Sequence, residues 1–413
     1  MANLGEKKMD PVEVIIRAMA PVDMSAPYDR AGCAGKTVLI TGGASGLGAA
    51  FAREWASHGA HIFVGDVDER AGEALVASLR ASTGSPHHHF QRCDVADWAS
   101  QVSLFRACAR ASPTGGIDVV VPNAGIGGLG HEDRAAGGGG SSFEYPRGLD
   151  AEDPPAPNLK VLDINLIGVM YTVHLGLFWL ARNDVKGGGG DDNNNNNSEQ
   201  PQPNGDETPE DLAARLKKLR AQRDRHLLLI GSIGGVLPLV GAPEYTASKH
   251  GVTALFRTLR TPCFWRGIRV NMLLPCFVDT PMVPNGVMFV LAGSGKAAVA
   301  DVVEAGTRFV ADKTVAGRAV VVGPRLKVDD GADGRTRIAE LSPAENEAAA
   351  KAGMKGQWPG NQAAWECYAH DYENLEGFVY RYNKLMTAYA QVAGWIGWAR
   401  DVFSLFFRNP TKK

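Results

Sequence analysis

Tyr245 and Lys249 lie four residues apart in the run Glu-Tyr-Thr-Ala-Ser-Lys, a spacing that could support proton transfer. Residues i and i+4 of an α-helix share one face, with Cβ atoms roughly 5–6 Å apart. A phenol with its ordinary pKa of about 10 is a poor base near pH 7, but a neighbouring ammonium group favours the phenolate. The pair could therefore act as a general acid/base. An ordinary helix with a tyrosine and an exposed lysine has the same spacing, so the pair needs supporting elements.

The first supporting element is a glycine-rich turn between a strand and a helix. Residues 36–40 are β-branched and apolar and predict a buried strand, and residues 49–56 have helical character. A glycine turn between them lets the backbone approach a pyrophosphate, which the helix N-terminus then holds. This context predicts a dinucleotide site. Its candidate contacts are Thr41, Gly42, Ser45, Gly46, Leu47 and Gly48.

An acidic residue follows the second predicted strand. Asp66 ends the run 60–65 and lies 18 residues beyond Gly48, close to the offset of a carboxylate that binds the adenosine ribose hydroxyls. Such a carboxylate repels a 2′-phosphate, which favours NAD over NADP, and Arg70 is the one nearby base that argues otherwise. The alternative is that Asp66 caps the helix that starts at Glu69.

Strands and helices continue to alternate along the chain. This alternation predicts an α/β fold, a doubly wound parallel sheet of the Rossmann type with helices on both faces. Ligands bind beyond the carboxyl ends of such strands, so one crevice should collect the residues found there. The further strands are expected at 89–93, 117–121, 227–230, 268–274 and 317–322, and the residues at strand ends are Thr41, Asp66, Asp94, Asn123, Ser232 and Pro275.

From Ala34 to Gly323 the chain resembles the short-chain dehydrogenase/reductase family, in particular its NAD-dependent 15-hydroxyprostaglandin-dehydrogenase-like branch. Two positions depart from the family pattern: Pro122 replaces the first Asn of Asn-Asn-Ala-Gly, and Cys276 replaces the Gly of Pro-Gly. Because Cys276 can shift the loop that follows it, the resemblance supports the roles of Val278 and Thr280 less strongly than those of the other residues. The matching pieces are Thr-Gly-x-x-x-Gly-x-Gly at 41–48, Asp94-Val95, Asn-Ala-Gly at 123–125, Asn165, Ser232, and Tyr245 with Lys249.

The resemblance implies a catalytic role for four residues. Tyr245 would take the hydroxyl proton of the substrate while hydride leaves its carbon for C4 of the nicotinamide. Lys249 would lower the tyrosine pKa and bind the nicotinamide ribose, and Ser232 would hold the substrate oxygen. Asn165 would bind a water that links Lys249 to solvent.

The resemblance also implies further cofactor contacts and an assembly. Asp94 and Val95 would contact adenine, and Thr280 would hold the carboxamide. A homo-oligomer formed through the long helices at 159–181 and 244–265 is expected, as in the family. The remaining residues implied at the cofactor are Val278, Asn123, Ala124 and Gly125, together with Tyr245 and Lys249 themselves.

Composition excludes several other classes of function. A net charge of −2 gives no support for nucleic-acid binding. Six cysteines show neither CxxC spacing nor metal-type clustering, so reduced thiols in a cytoplasmic protein are the simplest expectation. The run 87–89 of three histidines has no carboxylate or thiol partners nearby and is expected to lead into the third strand rather than bind metal. No secretory signal is evident in the first residues.

The chain divides into a core and polar or helical additions. An N-terminal extension (1–33) precedes the Rossmann-type domain (34–323), and a C-terminal extension (324–413) follows it. Two low-complexity insertions, about 127–157 and 183–210, are rich in Gly, Pro, Ser or Asn and are expected to be flexible surface loops because they cannot bury enough apolar area.

The C-terminal extension is expected to be helical over 344–352 and 362–389. Its last apolar run, 392–408, is split by Arg400 and Asp401 and is too polar at its centre to span a bilayer. The run could lie in a membrane interface, which would make the protein peripheral, or pack on the core or on a partner subunit.

The segments that flank the presumed active site are apolar. Residues 236–240 and 282–291 are rich in Val, Leu, Met and Phe, and no Arg or Lys occurs from 271 to 295. An uncharged, lipophilic secondary alcohol or its ketone is the expected substrate, unless these residues pack beneath a lid. The competing hypotheses are an NADPH-dependent carbonyl reductase and a non-catalytic dinucleotide sensor or membrane-attached scaffold.

Overall fold

Nine strands form one sheet in a computed structural model that describes residues 19–127, 155–183, 223–239, 241–282, 296–330, 336–340 and 361–367 and a few isolated positions. The order is β3-β2-β1-β4-β5-β6-β7-β8, with β9 also paired to β7. The strands are β1 Thr37–Thr41, β2 His61–Asp66, β3 His89–Arg92, β4 Val119–Pro122, β5 His226–Ile230, β6 Arg269–Pro275, β7 Ala319–Asp330, β8 Thr336–Glu340 and β9 Asn361–Cys367.

Six helices connect and cover the parallel strands. The described ones are α1 Gly46–Ser57, α2 Glu69–Thr83, α3 Trp98–Ala111, α4 Lys160–Ala181, α5 Pro243–Trp265 and α6 Val299–Ala311. Helix α4 contains a π-helical stretch, Asp163–Gly168. The neighbours from β3 to β7 all pair in parallel, and the chain order reverses between β1 and β4. The doubly wound parallel sheet predicted from the sequence is therefore confirmed, and the crevice at this reversal is where such sheets bind ligands.

Two apolar layers cover the two faces of the sheet. Phe51 and Trp55 of α1 and Phe309 of α6 pack on one face, and Phe105 of α3 and Phe256 of α5 pack on the other. The central strands β1, β4 and β5 are buried along their whole length, because both faces are covered. This explains why their sequences are continuous apolar runs rather than alternating ones.

A buried ionic cluster closes the amino end of the sheet, opposite the ligand crevice. Lys36 donates to Asp224 at 2.7 Å, and Arg269 donates to the same carboxylate through Nε at 3.0 Å and Nη2 at 2.8 Å. Asp224 is 5% exposed, and its two cationic partners hold the pKa of its carboxyl well below the usual range. The carboxylate is therefore ionised and fully paired despite its burial.

The histidine run leads into β3, as expected from the sequence. His88 is 1% exposed, its Nδ1 accepts from the Ile62 N–H at 3.3 Å, and its Nε2 lies 3.0 Å from Thr83 Oγ1. Since Nδ1 is an acceptor, the neutral ring carries its proton on Nε2 and donates to Thr83. Burial lowers the pKa of His88 to about 4, so the ring is neutral at physiological pH. Among the described residues, no three His, Cys, Asp or Glu side chains are grouped so as to hold a metal ion.

The C-terminal extension was expected to be helical, but part of it forms a strand. Strand β7 continues past Gly323, and Asn361–Cys367 pairs with it in antiparallel register as β9. The Ala, Gln and Glu residues of β9 favour a helix locally, but the open edge of β7 offers unpaired backbone groups that a strand satisfies. The prediction of a helix over 362–389 is therefore wrong for residues 362–367, and the remainder of that range lies outside the described residues, apart from an isolated position. The predicted helices at 344–352 and 392–408 lie outside the described residues, apart from isolated positions.

The described part of the N-terminal extension joins this sheet edge. Glu366 of β9 accepts from the backbone N–H of Val22 at 3.1 Å and forms an ion pair with Arg318, which precedes β7. Arg318 also donates to the carbonyl of Met19 at 3.0 Å. Residues from both extensions are thus bonded to the core, and the domain limits proposed from the sequence stay a prediction.

One described helix, Lys160–Ala181, is long and apolar enough to cross a membrane by length and composition alone. In its most apolar window 44% is buried inside the protein, where Val173 and Leu180 pack in the second apolar layer. A helix of a protein core passes the same test of length and composition, so the test alone is weak evidence for a membrane span. The two low-complexity insertions fall mostly outside the described residues.

Candidate active site

The glycine-rich turn after β1 forms a cradle that excludes side chains. Gly42 (φ 63°) and Gly46 (φ 52°) have left-handed backbone conformations that favour glycine. A Cβ atom on Gly42 would lie 2.5 Å from Ala124 Cα, and one on Gly48 would lie 2.4 Å from the Gly42 carbonyl oxygen. Helix α1 begins at Gly46, and Ser45 caps it without a side-chain hydrogen bond. The first-turn N–H groups are therefore available to an anion, and the turn fits a dinucleotide pyrophosphate.

Two of the predicted cofactor residues hold this turn in place through hydrogen bonds. Asn123 Nδ2 donates to the carbonyls of Thr41 at 3.1 Å and Gly42 at 2.8 Å. Thr41 Oγ1 in turn accepts from the backbone N–H groups of Asn123 at 3.2 Å and Ala124 at 3.4 Å. Thr41 and Asn123 thus hold the ends of β1 and β4 together, which fixes the glycine turn.

Asp66 lies beside the same turn at the end of β2. Its Oδ2 accepts from the Ala44 N–H at 2.9 Å, and its Oδ1 accepts from the Asp68 N–H at 3.1 Å. Helix α2 is capped by Asp68, whose carboxylate accepts from the Ala71 N–H at 2.9 Å. The alternative that Asp66 is the helix cap is therefore wrong. Its half-buried carboxylate is instead fixed next to the glycine turn.

Asp94 and Val95 follow β3 and have different surroundings. Asp94 is half-buried, and its Oδ1 accepts from the Ala96 N–H at 2.9 Å. Val95 is buried against α4, where a Cβ atom on Gly168 would lie 2.9 Å from Val95 Cγ2. The expected contact of this pair with adenine stays a prediction.

Ser232, Tyr245 and Lys249 meet beyond the end of β5. Ser232 opens a 3-10 turn, in which its Oγ accepts from the Gly234 N–H at 3.1 Å, and its side chain lies close enough to Tyr245 to act on the pKa of the phenol. Helix α5 begins with Pro243 at its first turn and places Tyr245 and Lys249 on one face. Lys249 Nζ lies 5.7 Å from the centre of the tyrosine ring and donates to the Ile230 carbonyl at 3.4 Å.

Burial controls the electrostatics of this triad. It raises the pKa of Tyr245, and the nearby Ser232 side chain offsets part of that rise. Burial also lowers the pKa of Lys249 to about 8. The sequence-based expectation that Lys249 leaves Tyr245 with a lowered pKa is thus wrong for the chain by itself, because burial of the phenol raises that pKa.

Asn165 fixes the loop after β4 rather than facing open space. It is fully buried in the π-helical stretch of α4. Its Oδ1 accepts from the Ile126 N–H at 2.8 Å, and its Nδ2 donates to the Ile126 carbonyl at 2.9 Å. Both polar groups of the side chain are therefore bonded to one residue of the loop that contains Gly125. Its predicted water link to Lys249 stays a prediction.

The segment after β6 crosses the crevice. Val278 is buried in the first apolar layer, whereas Thr280 Cβ lies 3.6 Å from the position that a Cβ on Gly46 would occupy. The Met282 side chain approaches the corresponding position on Gly125 to 3.8 Å. Phe277 adopts a φ of 43°, which is rare for a bulky residue. Nothing in the sequence predicts this conformation, although Cys276 departs from the family pattern in the same loop.

The comparisons with known proteins agree with this geometry. The model of the family described as short chain dehydrogenase matches residues 36–187 and 212–287. The chain belongs to the short-chain dehydrogenase family. It is 34% identical to 5'-hydroxyaverantin dehydrogenase of Dothistroma septosporum, over 74% of this chain and 90% of that protein. It is 32% identical to 5'-hydroxyaverantin dehydrogenase stcG of Emericella nidulans, over 75% of this chain and 91% of that protein.

A solved structure shows the same fold. The 3-ketoacyl-(acyl-carrier-protein) reductase from Brucella melitensis complexed with NADH matches with a TM-score of 0.50 and 20% identity, over 70% of this chain and 97% of that one. As a member of the short-chain dehydrogenase family, the chain is an oxidoreductase that acts on hydroxyl or keto groups of a small molecule with NAD or NADP. Both cofactors occur among its relatives, such as an NADP-dependent dehydrogenase of Phoma sp. (26% identical) and mouse 15-hydroxyprostaglandin dehydrogenase [NAD(+)] (26% identical).

Proposed function

We propose that this chain is an NAD-dependent dehydrogenase of a lipophilic secondary alcohol, or of its ketone in reverse, with Tyr245 as the general acid/base. One observation carries the proposal. Ser232, Tyr245 and Lys249 come together at the carboxyl end of β5, in the same crevice as the glycine turn after β1. A nucleophile, a metal cluster or a pair of carboxylates would indicate other chemistry, whereas a hydroxyl pair with a lysine suits proton transfer at a substrate oxygen.

Each residue of the triad has a distinct task in this mechanism. The Tyr245 phenolic oxygen takes the proton from the substrate hydroxyl. The Ser232 hydroxyl, which lies near the phenol, bonds the substrate oxygen and so steadies the charge that develops there. Lys249, with a pKa of about 8, is a cation at pH 7, and its charge 5.7 Å from the ring favours the phenolate. A bound nicotinamide supplies the acceptor for the hydride.

The preference for NAD is proposed from Asp66. Its fixed carboxylate beside the glycine turn suits the two ribose hydroxyls and repels a 2′-phosphate. The backbone N–H groups of Ala44 and Asp68 hold the carboxylate in place, so it cannot swing away from a phosphate without losing both bonds. The residues from Thr41 to Gly48 contain no cation that would compensate.

Apolar side chains near the triad support the proposed substrate class. Leu237 is 52% exposed and Met282 is 38% exposed, so both apolar side chains are accessible. Leu239 packs against Gly234 beside the Tyr245 ring. The described residues 271–282 carry no lysine or arginine that would bind a carboxylate. Two relatives are named for dehydrogenating 5'-hydroxyaverantin, and the hydroxyl in that name is consistent with an alcohol substrate here.

A homo-oligomer and a cytoplasmic location are also proposed. The outward face of α4 exposes Ile167, Met170 and Phe178, which would be covered if two copies packed through this helix. All four described cysteines in the core are buried and unpaired, which suits a reducing compartment.

A matched panel of substrates tests the proposal. The full chain is assayed with lipophilic secondary alcohols, and with the same alcohols bearing a carboxylate, while the absorbance of NADH or NADPH is followed. The proposal predicts turnover of the neutral alcohols with NAD in preference to NADP, and weak turnover of the carboxylated ones. Turnover confined to NADPH-dependent reduction of ketones would replace it with the carbonyl-reductase alternative. Dinucleotide binding without turnover of any alcohol or ketone would favour the sensor alternative.

A further inference from the structure

Strand β7 is longer than its neighbours and continues beyond the carboxyl edge of the sheet. Val322 of β7 lies opposite Pro275, the last residue of β6. Residues 323–330 carry β7 past that point and form its extension. Ser232 and the glycine turn lie at the same carboxyl edge. The extension of β7 therefore begins at the level of the candidate active site.

The strand register places β8 on the side of this extension that faces the crevice. Strand β9 pairs with β7 both at Val322 and at Leu326, so it occupies the side of β7 opposite β6 along this length. Leu326 also pairs with β8, which must then lie on the side of β6. Strand β8 therefore continues the row of β6 above the sheet, next to the row of β5, after which Ser232 follows.

The pairing with β9 gives the height of β8 above the carboxyl edge. Between Val322 and Leu326, β7 advances by four residues while β9 advances by two, so β7 is bulged there. At about 3.3 Å per residue, two residues of β9 place Leu326 about 7 Å above the edge. The pairing of β8 ends at Asp330, roughly 13 Å higher. Strand β8 thus spans the region roughly 7–20 Å beyond the edge at which a substrate would react.

An ion pair fixes the extension to the helix beside it. Arg325 donates to Asp301 through Nη2 at 2.7 Å and through Nε at 3.0 Å. The Asp301 side chain is 1% exposed and lies in the first turn of α6. Just before that turn, the Ala297 N–H donates to the Cys276 carbonyl at 3.0 Å. The pair therefore joins the extension to the point at which the segment after β6 returns from the crevice.

We propose that the extension of β7 and strand β8 form a distal wall of the substrate crevice, and that Arg325 positions this wall. The inference rests on the proposed function and deepens it, because it selects long alcohols over short ones. A wall that begins about 7 Å above the carboxyl edge lies too far away to touch the reacting carbon and contacts the far end of a long substrate. Arg325 bonds Asp301 rather than the substrate, so its role is that of a positioning residue.

Steady-state kinetics with two alcohols of one homologous series tests the role of Arg325 in the full chain. The short alcohol extends less than about 7 Å from its carbinol carbon and the long one at least about 13 Å, so that only the long one reaches β8. Arg325→Ala should raise KM for the long alcohol about tenfold, with kcat for the short alcohol and the calorimetric Kd for NAD⁺ within about twofold of the unaltered chain. Arg325→Lys keeps a cation beside Asp301 and should raise that KM less.

Arg223→Ala is the matched control. Arg223 forms a similar two-bond pair with Asp118, through Nε at 2.6 Å and Nη2 at 2.9 Å, at the amino end of the sheet. Its loss should leave both KM values unchanged. An equal change for both alcohols in Arg325→Ala, a change for neither, or the same selective change in Arg223→Ala would overturn the proposal. Absence of turnover of both alcohols by the unaltered chain would instead reject the proposed function.

Hydrogen exchange on the unaltered chain tests the wall without any substitution. The chain is saturated with NADH, which cannot accept a hydride, and exchange of the backbone amides of residues 325–330 is followed by mass spectrometry with either alcohol. The long alcohol should slow this exchange and the short one should leave it unchanged. Exchange that both alcohols slow equally, or that neither slows, would overturn the proposal.

Discussion

Replacing Lys249 by methionine should make the protein more stable while removing its activity. Lys249 is 5% exposed, and its ammonium group has one long hydrogen bond among the described residues, to the Ile230 carbonyl at 3.4 Å. Burial lowers its pKa from 10.5 to about 8. This lowering of the pKa corresponds to about 3 kcal/mol, the cost of holding the charge in the folded chain. Methionine has a similar shape and carries no charge.

The pH dependence gives the sign of the effect. Below pH 8 the lysine is protonated in both the folded and the unfolded chain, so the whole penalty is present. Between pH 8 and 10.5 the folded chain loses its proton first, and the penalty disappears. The free energy of unfolding of Lys249→Met should thus exceed that of the unaltered chain by about 3 kcal/mol at pH 7, and the difference should shrink towards zero near pH 10.5.

Urea unfolding at pH 7 and at pH 10, extrapolated linearly to water, measures both values. Lys36→Met is the matched control, because Lys36 is equally buried but paired with Asp224 at 2.7 Å. Its loss leaves Asp224 with Arg269 alone and should lower the free energy of unfolding by about 2 kcal/mol or more. A Lys249→Met variant less stable than the unaltered chain at pH 7 would refute the reasoning, as would a difference that does not change with pH.

Three further outcomes are expected. Burial lowers the pKa of His88 from 6.5 to about 4, so the folded chain favours the neutral ring. The free energy of unfolding should therefore fall by up to about 3 kcal/mol as the pH drops from about 6.5 to 4. His88→Gln should lack this fall in acid unfolding, and identical acid profiles of the two proteins would contradict the prediction. Asn165→Leu removes both hydrogen bonds to Ile126, so the loop after β4 is no longer held in place. We expect kcat to fall tenfold or more, while the circular dichroism spectrum shows an unchanged fold. Met170→Glu should reduce the molar mass measured by light scattering if α4 is the subunit interface, whereas the exposed control Ala77→Glu should not.

The parts of the site that local sequence determines were predictable. The Thr41–Gly48 turn follows from a buried strand, four glycines and a helix start within a few residues, and the structure places the turn at the end of β1. Ser232, Tyr245 and Lys249 were predicted to work together, and the structure brings them together. Each of these signals depends on neighbours within about one element of the chain.

The parts that depend on distant contacts were not predictable. The partner of Asn165 is Ile126, 39 positions away, and β8 comes to continue the row of β6 only through strand register. Strand β9 was mistaken for a helix because the edge of β7, rather than local propensity, decides its conformation. The direction of the Tyr245 pKa shift likewise depends on burial, which spacing along a helix does not show.

Replacing Tyr245 by phenylalanine tests the assignment of the acid/base most directly. The variant keeps the ring and loses the phenolic oxygen. The matched control is Tyr171→Phe, because Tyr171 is a half-buried tyrosine of α4 that packs on Trp98 of α3. With an alcohol that the unaltered chain oxidises, kcat for Tyr245→Phe should fall by about 10² to 10⁴ while the calorimetric affinity for NAD⁺ stays nearly unchanged. Tyr171→Phe should retain full turnover. Turnover of Tyr245→Phe equal to that of the unaltered chain would contradict the mechanism.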